Sequence, residues 1–173
     1  MRRPAWNAVV GAVLIATGCG RPQPDRPPAV RLDDSVCDQC GMIISDVRWA
    51  TSTIIRGERG PEARLFDDFN CQVNYEQDHP DLPVLARWSH DHATQEWMKT
   101  DQAVFLVAPA LRTPMGSHAA AFGNRSDADS AASTHPGTIM TFEQVWAHLR
   151  RPDAGPTSNA AEPELPADRQ PVP

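Results

Sequence analysis

The chain has no basic stripe. Lys and Arg number 16 against 22 Asp and Glu, a formal net charge of −6 over 173 residues, and so acidic a balance argues against nucleic acid as a partner. It also lacks catalytic signatures: there is no phosphate loop, no Ser-His-Asp order and no pair of carboxylates set in an apolar frame. A long hydrophobic run is missing too, since the stretch from Ala8 to Ala16 is too short to span a bilayer as a stable helix. Cysteine is scarce, four residues in all. Only one Cys-x-x-Cys occurs, so a zinc site built from two such pairs is excluded.

What is present begins with two arginines, the apolar run and small residues ahead of Cys19, the order of a secretory leader. "IATGC" resembles a bacterial lipoprotein cleavage box, with Ala16 where leucine is usual. Residues 1–18 are therefore expected to be a lipoprotein signal peptide and Cys19 the lipidated new N-terminus, anchored by its acyl chains. Gly20 after the cysteine favours the outer over the inner membrane. Residues 19–32, with the prolines of "RPQPDRPPAVR", are expected to form a semi-rigid tether. The Pro- and Ala-rich residues 152–173 have nothing to bury and are expected to be disordered. That leaves 33–151 as the folded domain.

Within it, "WATSTIIRG" reads as a strand, "ERGPEA" as a turn centred on Gly and Pro, and "ARLFDDF" as a returning strand. "NCQVNYEQDHPD" reads as a helix with Asn70 as its N-cap and a stop before Pro80, followed by the strand "PVLARWSHD". The second half repeats the outline: strands "QAVFLVA" and "SHAAAFG", a helix "SDADSAAST" capped by Ser126, and a strand "GTIMTF". In the terminal "TFEQVWAHLRR", Thr141 and Gln144 form a capping box, and Phe142, Val145, Trp146 and Leu149 share one helical face. The expected fold is α+β, two related strand-strand-helix-strand lobes in one compact domain.

If Cys19 is lipidated, Cys37, Cys40 and Cys71 remain, an odd number that cannot all pair within one molecule. "VCDQCGMIISD" is compatible with three chemistries. A redox dithiol needs its first cysteine at a helix N-terminus, whereas this motif opens the domain. Structural zinc needs four closed ligands, which would require residues such as His90 and His92 to be brought over. Copper(I) accepts thiolate and thioether at low coordination number. Met42 sets a thioether beside Cys40, Gly41 lets the backbone turn so that both sulfurs face one ion, and Met115 lies in another Pro and Gly turn. Met98 and Met140 read as core filler, and Asp67 and Asp68 as cap and turn residues.

Taken together and in order, the lipobox, "CDQCGM", "LFDDFNC", "HDHATQEWM", "RTPMGSH" and "TFEQVW" resemble the NosL family of nitrous oxide reductase accessory lipoproteins, from residue 37 to about 147. The resemblance implies a periplasm-facing, membrane-tethered α+β protein that is not an enzyme. It also implies that the chain binds copper(I) for nitrous oxide reductase or its copper-site assembly machinery. The family's motifs match at Cys37, Cys40, Gly41 and Met42, and at Pro114, Met115, Gly116 and Ser117, with Phe122 in place. Cys40 and Met115 lead the ligand set this implies, with Cys37 and Met42 next. Cys71, found in part of the family, and His118 or His92, where this chain departs from it, are further candidates. The alternatives are a periplasmic thiol-disulfide oxidoreductase using Cys37 and Cys40, and a zinc-stabilised lipoprotein.

Overall fold

The computed structural model describes residues 22–151. The leader, Cys19 and the stretch 152–173 lie outside the described residues. The first lobe opens with strand β1 (Thr51–Gly57), rich in β-branched Thr and Ile, whose first five residues are buried. It runs antiparallel to β2 (Gly60–Phe66) and β3 (Val84–His90), with helix α1 (Phe69–Asp78) between those two in sequence. The second lobe repeats this with β5 (Val104–Val107), β6 (Ala119–Phe122), helix α2 (Arg125–Thr134) and β7 (Thr138–Met140). In both sheets the first strand is central and its successor and the strand after the helix flank it, in the orders β2-β1-β3 and β6-β5-β7. The expected duplication is therefore present in topology.

Each lobe carries one addition. Strand β4 (Trp97–Lys99) extends the first sheet against β3, a short element that the "HDHATQEWM" stretch does not advertise by alternation. Helix α3 (Phe142–Leu149) closes the second lobe, with the Thr141 and Gln144 capping box in place. Val145 on its inner face is fully buried, and Phe142, Trp146 and Leu149 pack beside it.

Three local expectations are corrected. The hairpin turn centres on Glu58 and Arg59, because Gly57 pairs with Gly60 and Pro61 already lies in β2. Asp68, not Asn70, caps α1: its backbone is extended and its carboxylate accepts the Asn70 amide. Asn124, not Ser126, caps α2, accepting the Asp127 amide at 2.9 Å. Short acceptors crowd both helix starts, and the cap falls to the residue where the chain is still extended.

The lobes share a core. Phe69 and Val73 of α1 pack on Phe105, Ala119 and Ala121 of the second sheet and on Val145 of α3, with the Phe69 and Phe105 rings 4.8 Å apart. Asp91, 7 % exposed, sews the seam from the other side. One of its oxygens accepts the Ala93 and Thr94 amides and the other accepts the Gly123 amide at the end of β6. Where the proline segment is described it makes a turn at Gln23–Arg26, and Lys99 of β4 donates to the Pro24 carbonyl.

Phe105, 1 % exposed, stands where the two lobes meet, so Phe105→Ala leaves a cavity in both. Urea denaturation should show a loss of about 3–5 kcal/mol.

Candidate metal centre

The segment before β1 folds into a tight loop. Val36 bridges to Ile43, the Cys37 amide donates to the Met42 carbonyl at 2.8 Å, and the Gly41 amide donates to the Cys37 carbonyl at 3.0 Å. Gly41 sits at φ +75°, a left-handed conformation that side chains disfavour. The loop is tied to β2, since the Asp38 amide donates to the Leu65 carbonyl at 2.8 Å and the Leu65 amide returns to the Asp38 carboxylate at 2.6 Å.

That clamp sets Cys37 and Cys40 against the start of α1, where Cys71 occupies the first turn. Cys37, Cys40, Asp67 and Cys71 each present a ligand atom within 4.8 Å of the others. The three thiols are free. Cys37 and Cys71 are each 2 % exposed and Asp67 3 %, whereas Cys40 is half-buried at the mouth. The Cys40 thiol lies 3.6 Å from both oxygens of Asp67. Asp67 is the residue that sequence reasoning assigned to turn-making. The available signal was the doubled acid, because one carboxylate suffices to cap a helix.

The thiols are unequal. A hydrogen bond from the Cys71 thiol, helped by the backbone amides of Cys40, Asp67 and Gln39, brings Cys37 down to about 6 against burial. Burial, chiefly, pushes Cys40 up to about 11, with Cys37 and Asp67 adding to the rise. Cys71 is raised further, because its proton serves Cys37 and because it is buried beside negative groups. One thiolate is therefore present without metal, and ionising the other two needs a cation among them.

Met42 and Met115 are exposed, at 54 % and 38 %. The Met115 backbone is tied to the start of α1: its amide donates to Asp68 at 2.7 Å and its carbonyl accepts from the Asn70 side chain at 3.1 Å. Ser117 also donates to Asp68, at 3.4 Å, and Gly116 makes the turn at φ +72°. The "CGM" and "PMG" loops thus meet on the two sides of the Asp67–Asp68 pair. The histidines are engaged elsewhere. His118 directs Nδ1 at the Leu111 carbonyl, 2.7 Å away. The His92 ring packs 4.9 Å from Trp49 and 5.6 Å from Phe122, and burial lowers its pKa. Neither is among the converging groups.

A duplicated α+β domain in which three free thiols and a carboxylate converge has the make-up of a sulfur-donor metal-binding protein. The NosL family profile matches residues 29–149, and the chain belongs to the NosL family. It is 28 % identical over 148 residues to the copper-binding lipoprotein NosL of Stutzerimonas stutzeri, covering 78 % of this chain and 77 % of that one. The fold matches the crystal structure of the copper chaperone NosL from Shewanella denitrificans with a TM-score of 0.56 and 19 % identity, over 68 % of this chain and 96 % of that one.

Thiolate absorbance of the reduced, metal-free protein should rise first near pH 6, the Cys37 step. Cys71→Ala removes the proton donor to that thiolate and should move the step up toward the ordinary range of a cysteine thiol. Folded Cys37 is thus more acidic than unfolded, so its share of stability grows as pH rises through this window and is lost on acidification.

Proposed function

We propose that the protein carries copper(I) as cargo, holding it at the mouth of the Cys37, Cys40 and Cys71 cluster and passing it to an exported copper enzyme. The recipient on this reading is nitrous oxide reductase or its copper-site assembly machinery. The observation that carries the reading is the convergence of three free thiols within 4.8 Å, with the thioethers of Met42 and Met115 exposed to solvent. Thiolate and thioether are the donors that copper(I) prefers. The likeness to a copper-binding lipoprotein supports the same metal. Among the residues proposed at the outset, Cys40, Met42 and Met115 are the accessible donors. Cys37 and Cys71 are the buried ones, and His118, with Nδ1 on the Leu111 carbonyl, has Nε2 to offer.

The arrangement also explains how cargo could leave. An incoming sulfur donor reaches Cys40 and the two methionines from solvent, and exchanges with them one at a time while the buried thiols keep the ion in place. A thiol-disulfide oxidoreductase is less well served. Its thiolate should be the exposed one, whereas here the acidic thiol, Cys37, is buried and the accessible one, Cys40, holds its proton.

Asp67 favours one second reading. Three thiolates and a carboxylate are a closed set that suits tetrahedral zinc, and a zinc-stabilised domain would depend on the metal for its fold.

Reduced protein titrated with copper(I) against a competing chelator should bind about one ion tightly, and Cys40→Ser or Met115→Leu should weaken it. Circular dichroism of the stripped protein should remain that of a folded chain. Unaltered affinity in both variants would remove the copper reading, and unfolding on chelation would establish the zinc one. For the membrane anchor, Cys19→Ala should abolish labelling by radioactive palmitate and shift the protein from the membrane to the soluble periplasmic fraction.

A further inference from the structure

The three thiols do not form an equal set. Cys37 and Cys71 are each 2 % exposed and pack together with Phe66 in a small apolar cluster. Their sulfurs lie within 4.8 Å of each other. Cys40 packs against this cluster but is only half-buried, with its sulfur 3.6 Å from each oxygen of Asp67. A disulfide is a neutral, apolar group, well suited to a pocket lined by Phe66 and Tyr75. Two thiols there face a buried carboxylate.

Resting on the copper reading above, we propose that Cys37 and Cys71 are a disulfide-forming pair within the site, and that closing the bond loosens the hold on copper(I) by leaving Cys40 as its single thiol. The odd cysteine count then has an assignment: one pair and one ligand. The oxidant is a disulfide of the exported compartment, a small-molecule or protein RSSR. Cys40, the thiol in reach of solvent, passes its proton to the neighbouring Cys37 thiolate, attacks the disulfide and releases one RSH. Cys37 displaces the second RSH from the mixed disulfide, giving Cys37–Cys40. Cys71 then attacks the Cys37 sulfur and returns Cys40 to its thiol form. The Cys37 and Cys71 sulfurs are oxidised by two electrons in all, one RSSR is reduced to two RSH, and the departing sulfurs take the one proton the pair carried and one from solvent.

Copper governs access to this reaction. A bound ion occupies the Cys40 thiolate, so the loaded site is protected from the disulfide and the empty site is open to it. Oxidation after delivery would hinder recapture of the ion from the recipient.

The test uses the full chain purified from the exported fraction in detergent, copper-free, treated with oxidised glutathione, alkylated and digested with trypsin. Cleavage after Arg31 and Arg48 places Cys37 and Cys40 in one peptide, and cleavage after Arg64 and Arg87 places Cys71 in another. Mass spectrometry should find the two peptides cross-linked, at two hydrogens below their summed mass. The cross-link should still form in Cys40→Ser treated during refolding, and be lost in Cys37→Ser. Oxidised protein should bind copper(I) at least about tenfold more weakly than reduced protein, since altering even the outer partners of a metal site acts on that scale. A disulfide confined to the Cys37 and Cys40 peptide, three alkylated thiols, or equal affinity in both redox states would overturn the proposal. None of these would touch the copper reading, which the reduced protein tests alone. Failure of reduced protein to bind copper(I) would remove that reading whichever disulfide forms.

Discussion

The carboxylate of Asp68, fully buried, is the constraint on which the site depends. One oxygen caps α1 through the Asn70 amide at 2.9 Å, and the other accepts the amides of Met115 and Ser117 from a loop of the second lobe. A buried carboxylate that accepts three amide bonds is a stiff joint, because removing any partner leaves a charge without compensation. Its neighbour Asp67 is then turned toward Cys40. Two adjacent acids thereby do different work, one holding backbone and the other facing sulfur.

That joint is made possible by the duplicated fold. Each lobe has the same strand order, yet only the first lobe has a cysteine-bearing loop ahead of its central strand, and only the second has the long β5–β6 connection that carries Met115. Packing α1 against the second sheet through Phe69 and Val73 brings these unrelated additions together. The site lies where the copies differ, on a frame set by where they agree.

The chemistry of the cluster follows from crowding. Three thiols and a carboxylate in one small space cannot all be charged, and the structure resolves this by ionising Cys37 and keeping the protons on Cys40 and Cys71. Either a cation or a disulfide relieves the same repulsion. The methionines add sulfur without adding charge, which suits a site that must release its ion as well as hold it.

Much of this was legible in the chain itself. Alternation and β-branching located β1, β3 and β5, the Thr141 and Gln144 box placed α3, and the ordered sulfur motifs pointed to the family and to a soft metal. The acidic composition argued against a nucleic-acid partner, and the cysteine count posed the pairing question. Local sequence could not say which of several neighbouring acceptors caps a helix, as Asn70 and Ser126 illustrate, because that depends on where the backbone leaves its extended form. It could not recruit Asp67 to the sulfurs, set His118 Nδ1 on the Leu111 carbonyl and the His92 ring against Trp49, or bring the Met115 amide to Asp68. Those assignments belong to contacts between residues 27 to 49 positions apart or to competition for a carbonyl. Such contacts exist only after the two sheets have packed, so donor identity resides in the sequence and donor geometry in the tertiary structure.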